Sequence, residues 1–299
     1  MHPVVLFAMQ SALTSLQAAP TDSVIWLPFA YDGLYAEPRS TLSWSPDDQR
    51  IAFAYFEYTP PQYFDHRLVI LQGDHIAREC PLGYPGLGAA WSPIGDEIAV
   101  NISGEGLYVI VPDSCLVVRP IVPRGLNPRW SRDGQRIAFD DASSVRTASA
   151  FGGDERLVVG AATQPDWSPD GRFIVFVRRG NLWTVSADGT NERQITDAGS
   201  DEWPAWSPNG RYIAFTRSEP DWEHMAVWLV GASGGPATQV SPVVAGEQRA
   251  RPSWSNDGTR LAYFVLAFTR FRVGVAINRD WRTTAARSET WSAVKKAYR

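Results

Sequence analysis

Lysine is almost absent from this chain of 299 residues, since the only two are Lys295 and Lys296. Acidic residues number 32 against 28 basic ones, and the formal net charge is -4. A nucleic-acid-binding domain usually carries a basic face, so this balance argues against nucleic acid as a partner. No apolar run of about 18 residues follows the N-terminus, so no transmembrane segment is predicted.

Motifs that hold metals are also missing from the sequence. The four histidines are His2, His66, His75 and His224. They form no His-Glu-x-x-His motif, and neither a paired-cysteine motif nor a calcium loop occurs. A metal at His66 and His224 lacks a third ligand to fix it. We therefore expect neither a metal nor a cofactor.

The first 20 residues differ from the rest of the chain. A short apolar run, Val4–Met9, is followed by small and polar residues that end in Ala18-Ala19-Pro20. This pattern predicts a secretory signal peptide over residues 1–19 and a periplasmic or secreted bacterial protein. The positive segment that usually precedes such a run is missing. An ordinary N-terminal helix or a misassigned start is the alternative.

One unit, a Trp-Ser pair with a turn and then an apolar strand, recurs six times along the chain. The units begin at Trp44, Trp91, Trp130, Trp167, Trp206 and Trp254, which are 47, 39, 37, 39 and 48 residues apart. A period of about 40 residues with all-β content is typical of propeller blades. The sequence predicts an all-β fold, a single six-bladed β-propeller of four-stranded antiparallel blades over residues 20–287, with a tail at 288–299. Its blades are expected to begin near residues 40, 87, 126, 163, 202 and 250.

Turn chemistry explains the residues after each Trp-Ser pair. Pro and Asp suit the central positions of a type I turn, and Gly then takes the left-handed position of a three-residue hairpin. Five units carry Gly there, and the sixth carries Asp48, a residue type that tolerates this conformation. On this interpretation, Asp48→Gly is expected to be neutral or mildly stabilising.

Ring closure and cysteine pairing depend on the same repeat. Residues 23–31 precede blade 1 and are expected to pair with blade 6, which removes an exposed edge. Trp281–Thr284 is a competing outer strand of blade 6, and we expect both to contribute. Cys80 falls late in the outer strand of blade 1, and Cys115 begins the outer strand of blade 2. Because the two cysteines are expected in different blades and at different levels along the blades, their Cα atoms should lie too far apart for a disulfide, and we expect two separate thiols.

The Trp-Ser-Pro-Asp-Gly-x-x-Ile-Ala-Phe unit resembles the repeat of TolB-like propellers, which are related to WD repeats. The resemblance covers roughly residues 40–285 and implies the six-bladed fold. For bacterial TolB it implies a periplasmic scaffold that binds partners of the Tol-Pal envelope system. TolB carries an α/β domain before its propeller, whereas about 40 residues precede Trp44 here, so the resemblance extends to the propeller alone.

A Gly-x-Ser-x-Gly string at Gly231–Gly235 matches the nucleophile elbow of hydrolases. That motif requires a strand, a sharp turn and a helix. Here it lies between two strand-like segments at the position of a hairpin turn in the blade repeat, so we interpret it as a turn.

Two long segments break the repeat and account for its two longest spacings. They are the blade 1 segment 55–66, with Tyr58, Tyr63, Asp65 and His66, and the blade 5 segment 218–224, with Trp222, Glu223 and His224. The equivalent segment of blade 6 contains Arg270. All three join the second and third strands of neighbouring blades, so they share one face. We predict that these eight residues form a binding surface. The alternative is that the loops pack together and cap the channel.

These observations predict a non-enzymatic binding or scaffold propeller that acts as a monomer. Its partner is expected to be a protein or a carbohydrate or peptide ligand. One alternative is a lyase or glycosidase whose carboxylates lie at the channel mouth. A glycosidase would need a carboxylate pair, which Glu57, Asp65, Asp221 and Glu223 can supply. A second alternative is an accessory subunit of a hydrolase.

Overall fold

A computed structural model gives the structure of the chain. It describes residues 22–31, 36–38, 40–59, 63–73, 75–83, 88–102, 105–218, 225–241, 248–267 and 270–278. These residues form six antiparallel sheets, of which five have the four predicted strands and one, blade 1, has five because Ala36–Pro38 also pairs with its second strand. The fold is an all-β, six-bladed propeller, as the repeat predicted.

Blades 1 to 3 follow one another along the chain. Blade 1 contains β2 (Ala36–Pro38), β3 (Ser43–Trp44), β4 (Arg50–Thr59), β5 (Tyr63–Gln72) and β6 (His75–Gly83). Blade 2 contains β7 (Ala89–Trp91), β8 (Ile98–Ile102), β9 (Gly106–Val111) and β10 (Leu116–Val122). Blade 3 contains β11 (Leu126–Trp130), β12 (Arg136–Asp140), β13 (Ser144–Ser149) and β14 (Arg156–Gly160).

Blades 4 to 6 complete the ring. Blade 4 contains β15 (Thr163–Trp167), β16 (Phe173–Arg178), β17 (Asn181–Ser186) and β18 (Arg193–Gln194). Blade 5 contains β19 (Asp201–Trp206), β20 (Tyr212–Ser218), β21 (Met225–Gly231) and β22 (Thr238–Gln239). Blade 6 contains β23 (Gln248–Trp254), β24 (Arg260–Ala267), β25 (Arg270–Asn278) and β1 (Asp22–Tyr31).

The hydrophobic core lies between the blades. In the second strand of five blades an alanine precedes a buried apolar or aromatic residue, as in Ala52-Phe53 and Ala214-Phe215, and blade 4 has Val175 in place of the alanine. The four named side chains of blades 1 and 5 are fully buried. Each main apolar cluster combines side chains of two neighbouring blades. Both faces of every blade are therefore covered, which is why these strands are continuously apolar rather than alternating.

The N-terminal strand closes the ring. β1 pairs antiparallel with β25, from Asp22↔Asn278 to Tyr31↔Phe271. The inner strands β23 and β3 are also in contact, so blade 6 meets blade 1. The predicted pairing of residues 23–31 with blade 6 is confirmed, and the competing segment Trp281–Thr284 lies outside the described residues.

The serine of the repeat supports the turn that follows it. Ser168 Oγ donates to Asp170 Oδ1 at 2.6 Å and accepts from the Phe173 amide at 2.9 Å. The same pair of bonds occurs at Ser45, Ser131, Ser207 and Ser255. Each hydroxyl thus joins the two ends of its hairpin while buried. The sequence pattern assigned roles to Trp, Pro, Asp and Gly but none to this serine.

Blade 2 departs from the predicted turn. Asp48, Gly134, Gly171, Gly210 and Gly258 have φ between 57° and 72°, as the hairpin requires. Gly95 is not among the residues with positive φ, so the prediction that it takes the left-handed position was wrong. Ile94 occupies the place of the aspartate that four other turns carry and of Asn209 in blade 5. The hydrogen bond from the serine hydroxyl to that side chain therefore cannot form in blade 2.

Cys80 and Cys115 form a disulfide, so the expectation of two separate thiols was wrong. Their Cα atoms lie 5.4 Å apart, within the range that a disulfide spans. Cys80 lies in β6 at the outer edge of blade 1. Cys115 has φ of 57° and is the last residue of the turn that joins β9 to β10. This turn of blade 2 packs against β6 of blade 1, and the packing places the two cysteines at the same level along the propeller axis.

The Gly231–Gly235 string is a hairpin turn, as interpreted from the sequence. β21 ends at Gly231, and the Gly234 amide donates to the Gly231 carbonyl at 2.8 Å. Gly234 has φ of 80°, and the next element is the strand β22. The helix that a nucleophile elbow requires is absent from this part of the described chain.

Candidate functional site at the mouth of the central channel

The segment predicted as a long loop of blade 1 is an extension of two strands. β4 and β5 are ten residues each and stay in register from Arg50↔Gln72 to Thr59↔Tyr63. Four predicted site residues, Tyr58, Tyr63, Asp65 and His66, therefore lie in strands. The loop prediction was wrong because aromatic and β-branched residues favour strand pairing.

This extension lies beside blade 6. β2 pairs with the far end of β4, and it also contacts β25. Arg270 is the first residue of β25, whereas Trp222, Glu223 and His224 lie outside the described residues. His66 is buried, with 4% of its surface exposed. Blades 1 and 6 thus meet at this face, while His66 itself is withdrawn from its surface.

A cavity of about 160 Å³ lies on the propeller axis at the opposite face. All six inner strands line it, because each ends there at its repeat Trp before the turn. The residue before each Trp contributes to this wall, in chain order Ser43, Ala90, Arg129, Asp166, Ala205 and Ser253. Four of these six side chains are small, so the charged pair from blades 3 and 4 dominates the chemistry of the cavity.

The indole rings join neighbouring blades around the cavity. Trp44, Trp130 and Trp254 donate from Nε1 to the carbonyls of Ser253, Ala90 and Ala205 in the preceding blade, at 2.9–3.2 Å. The indole nitrogens of Trp91, Trp167 and Trp206 are buried in the same wall and have no acceptor among the residues that the structure describes. The repeat Trp residues are thus structural.

Arg129 and Asp166 form an ion pair in which the arginine keeps most of its donors. Arg129 Nε lies 3.5 Å from Asp166 Oδ1, and Nη1 donates to the Pro128 carbonyl at 3.2 Å. Asp166 Oδ2 accepts from the Trp206 amide at 2.6 Å. Burial raises the pKa of Asp166 to about 6 against the attraction of Arg129. Burial also lowers the pKa of Arg129, against the attraction of Asp166 and Asp140.

A hydrogen bond between opposite blades crosses the cavity mouth. Arg132 Nη1, in the blade 3 turn, donates to Asn256 Oδ1, in the blade 6 turn, at 2.9 Å. These positions carry proline in the other four units: Pro46, Pro93, Pro169 and Pro208. A second cavity, of about 550 Å³, shares Arg132 and Asn256 with the first. The Arg132–Asn256 bridge therefore lies between the axial cavity and an outer one.

Asp48 holds the bridge in position. Its Oδ1 accepts from Asn256 N at 2.7 Å and from Asn256 Nδ2 at 2.9 Å, and its Oδ2 accepts from Asp257 N at 3.0 Å. Asn256 Nδ2 also donates to the Ser45 carbonyl at 2.9 Å. Because the amide nitrogen faces blade 1, the amide oxygen must face Arg132. Asp48, which replaces the turn glycine, thus forms one network with Arg132 and Asn256, which replace the turn proline.

A second motif in the inner strands escaped the sequence analysis. In blades 3 to 6 the segment before each Trp reads x-Pro-x-Trp, and the first residue, Asn127, Gln164, Trp203 or Arg251, has φ of 51–58°. Asp140 Oδ2 accepts from the Gln164 amide at 2.8 Å, and Thr216 Oγ1 accepts from the Arg251 amide at 2.8 Å. These bonds tie the bulged inner strands of blades 4 and 6 to the preceding blades. The recurring x-Pro-x-Trp was the signal available in the sequence.

Neither a metal-ligand cluster nor a membrane-spanning helix occurs in the part of the chain that the structure describes. Across the described ranges, no group of three or more His, Cys, Asp or Glu side chains is placed to hold a metal ion. In the same part of the chain, no helix is long and apolar enough to span a bilayer. Glu57 and Asp65, two of the carboxylates considered for a glycosidase, are register partners in β4 and β5.

Comparisons with known proteins agree with this architecture. A family model described as "TolB beta propeller domain" matches residues 34–256. The structure of a putative TolB from Agrobacterium tumefaciens is similar, with a TM-score of 0.59 and 20% identity over 85% of this chain and 96% of that one. No curated protein matches the sequence significantly.

Two further solved structures share the fold at low identity. TolB from Acinetobacter baumannii has a TM-score of 0.56 and 17% identity over 77% of this chain, which spans 64% of that protein. The Cps50 (Swd1) propeller domain of Myceliophteria thermophila has a TM-score of 0.55 and 15% identity over 80% of this chain and 82% of that one. At these identities, the likeness concerns the fold alone.

Proposed function

We propose that this chain, which belongs to the TolB β-propeller domain family, is an exported, non-catalytic propeller that binds a protein partner on the face formed by blades 5, 6 and 1. The fold is one associated with binding and scaffold roles, whereas function depends on local surfaces. The observation that carries the proposal is the β4–β5 hairpin. It projects from the face opposite the axial cavity.

The hairpin exceeds what the propeller needs. The second and third strands of blades 2 to 4 have five or six residues, whereas β4 and β5 have ten. At about 3.3 Å per residue, four additional residues extend the hairpin by about 13 Å. β2 adds a third strand to it, and β25 of blade 6 lies alongside. A sheet that rises from a propeller face offers an extended surface, which suits a macromolecule better than a small ligand.

The disulfide supports export. Cys80–Cys115 joins two blades, and structural disulfides form and persist mainly in oxidising compartments such as the periplasm. The apolar N-terminal segment Val4–Met9 is consistent with a secretion signal. Fractionation of a bacterial host that expresses the full chain, with N-terminal sequencing of the product, tests this part. A product confined to the cytoplasm with its original N-terminus contradicts export.

The binding surface is tested by shortening the hairpin. Residues 58–64 are replaced by Asn-Gly, a sequence that favours the two-residue hairpin turn, so that Glu57 and Asp65 remain paired. Proteins are captured from the envelope fraction with the wild type and with this variant, and each bound protein is quantified. We expect one or more partners to be lost while the melting temperature changes little.

A matched control removes apolar surface elsewhere on the molecule. Leu116, Phe151 and Leu157 are exposed side chains of blades 2 and 3, and their triple alanine variant should retain every partner. A second variant, with alanine at Tyr58, Tyr63 and Trp222, should behave like the shortened hairpin. An unchanged set of partners for both face variants, in folded protein, contradicts the proposal.

A further inference from the structure

We propose that the axial cavity is a binding site for a small organic carboxylate, and that the Arg132–Asn256 bridge closes its mouth. The site lies on the face opposite the β4–β5 hairpin, so it is independent of the protein-binding proposal above. The inference rests on the size of the cavity, on the donors in its wall and on the two positions where the proline of the repeat is replaced.

The size of the cavity limits the ligand to a small molecule. Its volume is about 160 Å³. A cavity of about 150 Å³ in another protein accommodates benzene, so an acid with a short chain or a single ring is the appropriate class. Side chains of Pro93, Pro169 and Pro208 and the repeat Trp residues supply apolar walls for the carbon part of such a molecule.

Hydrogen-bond capacity in the cavity favours an acceptor. A guanidinium has five N–H donors. Within the described ranges, that of Arg129 makes one hydrogen bond, to the Pro128 carbonyl. Its Nε lies 3.5 Å from Asp166 Oδ1, which is an ionic contact rather than a hydrogen bond. The planar edge of an arginine matches a carboxylate, which can accept two parallel bonds. Arg129 is therefore the anchor that we assign to the ligand.

The charges that line the cavity also favour an anion over a cation. Arg129 and Arg132 contribute two positive charges, and Asp166 contributes one negative charge. The Asp166 carboxylate is engaged by the Trp206 amide and faces Arg129. Asp140 lies behind this wall, and its oxygens accept from Asn127, Ala142 and Gln164. Neither carboxylate is left to attract a cation, while both guanidinium groups have donors to spare.

The bridge is built as a closure that can open. Arg132 is an exposed side chain, whereas its acceptor Asn256 is fixed by Asp48 and by the Ser45 carbonyl. Only the arginine must therefore rotate for the mouth to open. Since both residues line the axial cavity and the outer one, this rotation connects the two.

Binding is tested on the purified full chain with matched probes. Benzoate and acetate are titrated by calorimetry beside benzamide and acetamide, their neutral counterparts of similar shape. We expect at least one carboxylate to bind about tenfold more tightly than its amide, because a hydrogen bond to a charged group contributes about 1.5–3 kcal/mol. Equal affinity of both acids and their amides overturns the site.

Variants assign the binding to the predicted residues. Arg129→Gln should weaken carboxylate binding about tenfold and leave amide binding unchanged. Arg129→Lys, which keeps the charge but not the planar fork, should retain part of the affinity and serves if the glutamine variant does not fold. Arg172→Gln, in the exposed turn of blade 4, is the control and should bind as the wild type does. Wild-type affinity in a folded Arg129 variant excludes this anchor.

The closure is tested by replacing Arg132 with proline, the residue that four of the six units carry at this position. Arg132→Pro restores the proline of the other units and removes the bridge. Stopped-flow measurements of tryptophan fluorescence should then show faster association and faster dissociation of the carboxylate. Unchanged rates in this variant would mean that the bridge does not control access.

Discussion

Replacing Asp48 with glycine tests whether the network between blades 6 and 1 stabilises the propeller. Asp48 has φ of 57°, which is unfavourable for a residue with a side chain. Glycine relieves this by about 1 kcal/mol. The same substitution deletes a buried carboxylate that accepts three hydrogen bonds from Asn256 and Asp257. It also removes an ion pair in which Asp48 Oδ2 lies 3.7 Å from Arg260 Nη2.

The hydrogen bonds outweigh the backbone strain. One hydrogen bond to a charged group contributes about 1.5–3 kcal/mol, and three that share one carboxylate do not add fully, so we estimate about 3 kcal/mol in total. Asp48→Gly should therefore lower the free energy of unfolding by about 2 kcal/mol and the melting temperature by about 4–8 °C. This reverses the expectation of a neutral or stabilising change drawn from the turn pattern.

A matched variant isolates the backbone contribution. Gly171 occupies the same turn position in blade 4 with φ of 70°, and a Cβ atom there meets no other atom within 4 Å. Gly171→Asp should lower stability by about 1 kcal/mol, the cost of the left-handed conformation alone. Urea unfolding and differential scanning calorimetry measure both variants. If Asp48→Gly is as stable as the wild type or more so, the inter-blade bonds contribute less than we infer.

Three further predictions concern the disulfide, the channel and the turns. Alanine at both Cys80 and Cys115 should lower the free energy of unfolding by about 4 kcal/mol, from a closed loop of 35 residues, and an unchanged urea midpoint would contradict this. Asp166 ionises near pH 6 rather than at its ordinary 3.8. Because the folded state binds this proton more tightly than the unfolded state, Asp166 contributes about 3 kcal/mol to the free energy of unfolding at low pH. This contribution should be lost as the pH rises from about 4 to about 6. Asp166→Asn should remove this decline, and parallel stability profiles of the two proteins would refute it. Ser168→Ala should cost about 1–2 kcal/mol, and Ser92→Ala, in the turn without the aspartate, should cost less; equal losses in thermal melts would refute the role given to the Ser-Asp bond.

Features that repeat along the chain could be predicted from the sequence. The six Trp-Ser units predicted the number of blades, and their period of about 40 residues predicted a propeller. The alternation of turns and apolar runs predicted the strands within each blade. Ring closure by residues 23–31 also followed, because a segment left over before blade 1 had one exposed edge to cover. Each of these conclusions depends on local pattern and on the need to bury both faces of a blade.

Features that depend on how neighbouring blades stack could not be predicted in this way. The Cys80–Cys115 pairing requires the turn before β10 to fold over β6, and no local signal gives that offset. The left-handed position was assigned to Gly95 from its place in the repeat. The missing turn aspartate, replaced by Ile94, was a visible warning that this turn differs. The serine bonds were hidden because each hydroxyl links residues two and five positions further on, across a turn.

Departures from the repeat were used to predict the functional surface, but only the long insertions were used for this and not the single substitutions. Long insertions in blades 1 and 5 were given a functional role. Asp48 was interpreted only as a turn residue, and the substitutions at Arg132 and Asn256 were given no role. A ring of six places units 3 and 6 opposite each other and unit 1 beside unit 6. Two polar residues at the proline position of opposite units can therefore meet only across the axis, and one acidic residue at the glycine position can reach the neighbouring unit. The sequence thus contains enough information to predict a polar contact over the channel, once the period is converted into positions around the ring.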